Sequence, residues 1–189
     1  MANEIKAKTN GSVSLFGNDL SKGFENMTQE DMALPFIRIL GQLSPQVTDG
    51  DSKFIDGAKP GMIYNTVTND LFDGKKGIKV IPCYYKKDYP EWSDRGDGPG
   101  APVATHSPGS PVIQTGKRDG SKIRLPNGNY LEETAYYYVM VENKQGGYSP
   151  ALITMKSTQL SVSKKWNSMM KSVQIDDGKG GFAVPPMHG

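Results

Sequence analysis

A chain of 189 residues with a net charge of +2, 36% hydrophobic residues and one cysteine is long enough for one self-supporting domain. The single Cys83 excludes an internal disulfide framework and any multi-cysteine zinc cluster, and without an apolar run of about 18 residues there is no transmembrane helix to expect. The 22 Gly and 13 Pro penalise helix interiors and favour turns, so short strands joined by loops are predicted in place of a compact helical enzyme.

Residues 1–30 read as a polar tail, with Gly11, Gly17 and Gly23 breaking any periodicity and one short helical turn near Thr28 to Met32. Met1 to Ser14 lacks the apolar stretch of a signal peptide, and with one cysteine this predicts a reducing, intracellular setting without a membrane partner. The first apolar run is Leu34 to Leu40, where Pro35 confines a strand to an edge or to the residues after it. Met62 to Thr68 is rich in β-branched and aromatic residues, turn signals follow at Asn69-Asp70 and Asp73-Gly74, and Gly77 to Tyr85 reads as the returning strand of a hairpin.

Residues 93–129, with Gly96 to Pro102 and Ser107 to Pro111, are expected to be the least regular part of the middle, ending in the basic cluster Lys117, Arg118, Lys122 and Arg124. Tyr130 to Val141 and Pro150 to Met155 then form a second hairpin about Lys144-Gln145-Gly146-Gly147. Ser157 or Thr158 caps a helix to about Val173, with Leu160, Trp166, Met169, Met170 and Val173 on one face. The elements predict a mainly β fold over residues 31–175: a five-stranded antiparallel OB-type barrel with long loops and one α-helix on the C-terminal side, followed by an extension at 176–189.

Little in the sequence points to catalysis. Cys83 follows Pro82 in an apolar strand and is expected to be a small buried residue; His106 and His188 lie in separate loop-like segments. Neither Gly74-Lys75 nor Gly178-Lys179 precedes the Ser or Thr of a phosphate-binding loop, and Glu132-Glu133 point to opposite faces of a strand. Arg95-Gly96-Asp97 matches a cell-adhesion triplet that its Gly-Pro surroundings make coincidental. A non-enzyme without cofactor or metal is expected.

Nucleic-acid binding has a positive signal. Residues 1–74 sum to −4, residues 75–175 to +7 and residues 176–189 to −1, so positive charge collects in the later part of the chain. A single-strand binder needs cations for phosphates and aromatic faces for bases. Tyr84, Tyr85, Lys86, Lys87, Tyr89 and Trp92 interleave the two; alternation puts Tyr85, Lys87 and Tyr89 on one face and Tyr84 and Lys86 on the other. Tyr136 and Tyr138 share a face in a second patch, and Lys156, Lys164, Lys165 and Lys171 form a third with Trp166, itself read as a core anchor. An ordinary half-exposed strand explains any one patch. A DNA groove further requires Lys86, Lys87, Lys117, Arg118 and Lys164 to converge on one concave face.

Longer strings carry a family resemblance. Leu34 to Leu40 with Leu43-Ser44-Pro45, Gly57 to Thr68, Leu125 to Tyr130 and Lys156 to Leu160 resemble a family of tailed-bacteriophage single-stranded DNA-binding proteins, over roughly residues 30–187. The resemblance implies an OB-type fold and a role coating single-stranded DNA during phage replication or recombination, in the cytoplasm of the infected bacterial host. Phage replication or recombination proteins, or further copies of the chain, are the partners it implies. It carries no residue-level site. Phage single-strand binders often end in an acidic tail, whereas this sequence stops at Pro185 to Gly189, which leads us to expect a truncated C-terminus. The competing expectations are a virion structural or assembly protein, which would use the tyrosines for subunit contacts, and a small hydrolase built on Cys83.

Overall fold

The computed structural model describes residues 27–28, 31–94, 101–176, 178–179 and 181–187. Most of the expected tail, Arg95-Gly96-Asp97 and His188 lie outside those residues. The chain divides into two units, with the boundary after Ala33. In the first unit the backbone N–H and hydroxyl of Thr28 both donate to the Asp31 carboxylate at 2.8 Å. These bonds hold the Asp31 carboxyl below its usual pKa.

The second unit, Leu34–Gly189, is built on three long strands: β4 (Val80–Trp92), β9 (Thr134–Glu142) and β10 (Tyr148–Lys156). The remaining strands are short. On the N-terminal side they are β1 (Phe36–Ile39), β2 (Ile63–Asn65) and β3 (Leu71–Phe72); between β4 and β9 come β5 (Ala104–His106), β6 (Lys117–Asp119), β7 (Lys122–Arg124) and β8 (Tyr130–Glu132). Helix α1 (Pro111–Thr115) precedes β6, α2 (Leu160–Ser172) follows β10, and β11 (Ile175–Asp176) with β12 (Phe182–Ala183) makes a separate two-stranded ladder.

The strand order β3-β2-β1-β10-β9-β4-β8-β7-β6, with β5 also on β4, makes one open ten-stranded sheet. This corrects the expected five-stranded antiparallel barrel: no ladder joins β3 to β6 among the described residues, and β1 runs parallel to β10. Mainly β architecture with a C-terminal-side helix holds, and the second hairpin forms as β9 and β10. The first hairpin does not form. β2 pairs with β1 and β3, and β4 pairs with β9. The Gly/Pro-rich middle also carries more structure than expected, in β5, α1, β6 and β7.

β4 is long because it serves two arms of the sheet. Val80 to Asp88 pairs with β9, while Tyr89 to Trp92 pairs with β5 on one edge and β8 on the other. Pro82 is accommodated because the register shifts between Pro82 and Tyr84, a β-bulge, and because β4 has no second neighbour there among the described residues. Cys83 is therefore a half-buried bulge residue and not the buried strand residue expected; its thiol donates to the Ile81 carbonyl at 3.4 Å.

Burial along β9 alternates through Tyr136 to Val141, with Tyr137, Val139 and Val141 buried and Tyr136, Tyr138 and Met140 half-buried. A one-residue slip would turn every buried side chain outward, so the apolar face fixes the register. The buried face forms one core with Ile37, Ala135 and Ala151, against which Leu160, Trp166 and Met170 of α2 pack. Each large side chain buried there contributes on the order of 1.5–3 kcal/mol. Met169 and Val173, expected on the same helix face, are largely exposed. In the other arm Ile123, Leu125 and Leu131 form a second core under Val112 and Ile113 of α1. No helix among the described residues is long and apolar enough to cross a membrane.

Candidate nucleic-acid interface

Both helices cover the same face of the sheet, the one carrying Tyr85, Tyr137 and Leu131. Strand alternation sends the intervening side chains to the other face. Tyr84 of β4, 58% exposed, sits opposite Tyr138 of β9 with ring centroids 5.8 Å apart. Next to them Lys86 lies opposite Tyr136, its ammonium 5.3 Å from the ring centroid. On β10, Leu152, which is buried, and Thr154 continue the row, and Phe36 of β1 pairs with Leu152. The guanidinium of Arg38 stands 5.2 Å from the Phe36 ring centroid.

A depression of about 590 Å³ is lined from this face by Phe36, Arg38, Trp92, Tyr136, Thr154 and Lys156, and also by Ile37, Ile63, Ile153 and Met155, which belong to the first core or pack against it. Lys156 reaches 5.9 Å from the Trp92 ring centroid and ion-pairs with Glu132 at 2.7 Å. The indole N–H of Trp92 is buried without an acceptor among the described residues. Beyond Trp92 the face continues through Tyr130, directly opposite it on β8. Lys122 and Arg124 approach the Tyr130 ring centroid at 3.7 and 5.7 Å. Lys117 pairs with Arg124 across the β6–β7 ladder.

The residues expected from sequence thus divide. Tyr84, Lys86, Trp92, Tyr136, Tyr138 and Lys156 come together, and Lys117, Lys122 and Arg124 extend their face. Tyr85, Lys87 and Tyr89 take the covered face, as alternation predicts. Tyr85 packs against Tyr137 with ring centroids 5.0 Å apart and planes tilted by 50°, and Tyr89 packs against the second core. Arg118, opposite Ile123 and through it Leu131, is on the covered side of its hairpin. Lys164 and Lys165 are exposed on α2, which docks on the covered face through Trp166, 4.5 Å from Tyr137. The required convergence of Lys86, Lys87, Lys117, Arg118 and Lys164 on one face does not occur, because strand alternation and helix docking separate them.

Several cations of the open face already have carboxylate partners. Lys86 pairs with Asp88 at 2.8 Å, and that hydrogen bond raises its pKa against the opposing effect of burial. Arg124 meets Asp94 at 3.2 Å and Asp119 at 3.4 Å. On the covered side, burial pulls the Lys87 ammonium down, but the hydrogen bond and charge of Glu133 at 3.2 Å outweigh it and leave the pKa raised. Arg38, Lys117 and Lys122 are in no ion pair among the described residues.

Sequence reasoning missed Phe36, Arg38 and Tyr130. The only trace of the first two was Arg38 as the single polar residue in the apolar run Leu34 to Leu40, which does not by itself mark a site. His106 is held by Glu91 at 2.8 Å, and among the described residues Cys83 has only its backbone acceptor. Among the described residues no group of three or more His, Cys, Asp or Glu is arranged to hold a metal ion.

No curated protein and no solved structure matches the chain significantly. Its sequence does match the Pam3 phage gp34-like proteins over residues 7–189, and with nearly the whole chain covered it belongs to that phage protein family.

Proposed function

We propose that this phage protein binds single-stranded DNA on the open face of its sheet, coating it with little sequence preference during replication or recombination. One observation carries the reading: both helices cover one face, and the other presents Tyr84, Tyr138 and Tyr136 beside Lys86, Lys156 and Arg38. Rings contribute on the order of 1–3 kcal/mol per stacked base and tolerate any base, while the cations engage phosphates in a salt-sensitive way. An open sheet face suits unpaired bases, which must lie flat on rings, better than a duplex, whose bases are stacked on one another.

The test is a fluorescence-anisotropy titration with a labelled thirty-nucleotide oligo-dT at low and moderate salt, against a duplex of the same length. Salt-sensitive binding that favours the single strand supports the reading; no binding at low salt by folded protein overturns it. A virion structural or assembly role is the second reading. It is favoured by the separation of Lys87, Arg118 and Lys164 from Lys86 and Lys117, by the acids that already pair with Lys86, Lys156 and Arg124, and by the exposed Ile39 and Ile81. It gains if the titration fails and the protein assembles with itself at micromolar concentration.

A further inference from the structure

A second depression, of about 670 Å³, adjoins the first, and Phe36 and Arg38 line both. Its far wall is the segment between β1 and β2. That segment is closed at its base by Leu40 N–H to the Met62 carbonyl at 2.9 Å and Gly61 N–H to the Leu40 carbonyl at 2.7 Å. Ile55 N–H to the Gln46 carbonyl at 3.0 Å and Gly41 N–H to the Ser44 hydroxyl at 2.9 Å brace its interior. The wall presents Lys53, Phe54, Gln46 and Ser52. Phe54 is 41% exposed despite its size.

The two depressions differ in charge. Glu132 lines the first and neutralises Lys156, whereas no carboxylate among the described residues lines the second. The nearby Asp51 carboxylate accepts the backbone N–H of Lys53 at 2.8 Å, which fixes the turn and leaves the ammonium without an ion-pair partner among the described residues. Arg38 is unpaired in the same sense. A cation with no carboxylate to displace binds phosphate at lower cost than one already in an ion pair.

We infer that the second depression is a nucleotide subsite continuing the track across the open face: Arg38 and Lys53 hold two backbone phosphates, and the Phe54 ring stacks a base. This rests on the single-stranded DNA reading above and makes Arg38 the hinge between the two depressions. The volume lies within the range of small-ligand clefts, and the site combines ring and cation as single-strand binding requires.

The experiment is the same oligo-dT titration across a salt series, with wild-type protein, the Arg38→Ala/Lys53→Ala double variant and Phe54→Ala. All three side chains are exposed, and circular dichroism checks that each variant is folded. Two lost phosphate contacts should reduce the slope of log K against log salt by about 1.4, at about 0.7 per contact for single strands. Phe54→Ala should lower affinity about tenfold or more with the slope unchanged. Wild-type protein that does not bind overturns the parent reading and this inference with it. Wild-type protein that binds while the double variant keeps its full slope overturns the inference alone.

Discussion

Tyr84 and Tyr138 meet across β4 and β9 with ring centroids 5.8 Å apart on the open face, and the next residues, Tyr85 and Tyr137, repeat the contact at 5.0 Å beneath α2. Adjacent tyrosines on each of the two strands therefore supply both an aromatic row on the helix-free face and a core. The inner pair is tied down by polar contacts: the Tyr137 hydroxyl lies 2.7 Å from Ser163 Oγ, 2.8 Å from Asn167 Oδ1 and 3.1 Å from the Ser163 carbonyl. Tyr137→Phe leaves buried polar groups of α2 without that partner and should lower stability by about 1–3 kcal/mol in urea unfolding. Its oligo-dT affinity should stay within about twofold of wild type, whereas Tyr138→Ala should reduce affinity by about tenfold or more through loss of one stacked base. Equal losses of affinity in the two variants would remove the distinction between the faces.

Lys86 and Lys87 are neighbours in sequence with opposite fates. Lys87 is on the covered face with Glu133, so Lys87→Ala should leave the salt slope of DNA binding unchanged. Lys86→Ala should flatten it by about 0.7, the loss expected for one phosphate contact. Because Asp88 occupies the Lys86 ammonium at 2.8 Å, Asp88→Asn should strengthen binding by freeing it. Weaker binding by Asp88→Asn would mean that the ion pair positions Lys86 for the strand.

Gly74 tests the scaffold of the second depression. A Cβ placed there would overlap the carbonyl oxygen of Gly61, a backbone atom that no side-chain rotation can move away. Gly61 N–H closes the base of the β1–β2 segment through Leu40, so Gly74→Ala must displace that closure. The expected loss is about 1–3 kcal/mol, the usual cost of overpacking, read from the urea midpoint. An unchanged midpoint would show that the two segments separate freely.

What could be read from the sequence was local. Alternation placed Tyr84 and Lys86 opposite Tyr85, Lys87 and Tyr89, and the helical period identified Leu160 and Trp166 as core contacts of α2. The β9–β10 hairpin was legible because its two strands are adjacent in the chain and joined by a Gly-rich turn. The parallel pairing of Phe36 with Leu152 joins residues more than a hundred positions apart, and nothing in either segment specifies that partner. The strands Ala104–His106 and Lys117–Asp119 are too short for alternation to be visible, and exposed residues dominate both. Arg38 was hidden for a related reason: one cation in an apolar run reads as an interruption until β1 sets it beside Phe36 and, across the second depression, Lys53.

Glu91 gives the fold an acid-sensitive point. It is buried on β4, where its Oε1 accepts from Asn129 Nδ2 at 2.6 Å and Asn127 Nδ2 at 3.1 Å, and its Oε2 lies 2.8 Å from His106 Nε2 on β5. An ionised carboxylate can only accept, so Nε2 carries the proton in that contact. The hydrogen bond from Asn129, then that from His106, hold the Glu91 carboxyl below its ordinary value of 4.5, against burial, which pushes it up. A carboxylate whose pKa is depressed in the folded state stabilises that state above its unfolded value, and the contribution is lost as pH falls through the lower folded value. Glu91→Gln should therefore cost about 1–3 kcal/mol at pH 7, where the charge-assisted bonds are intact. The gap between wild type and variant should begin to narrow as the pH drops below about 4.5, where Glu91 of the unfolded chain takes up its proton, and should close as the pH falls through the lower folded value. Urea midpoints of both proteins at pH 7 and through the acid range measure that gap. A gap that stays constant down to acid unfolding would mean that the network holds β4 to β5 and the turn before β8 by shape, with the charge of Glu91 contributing nothing.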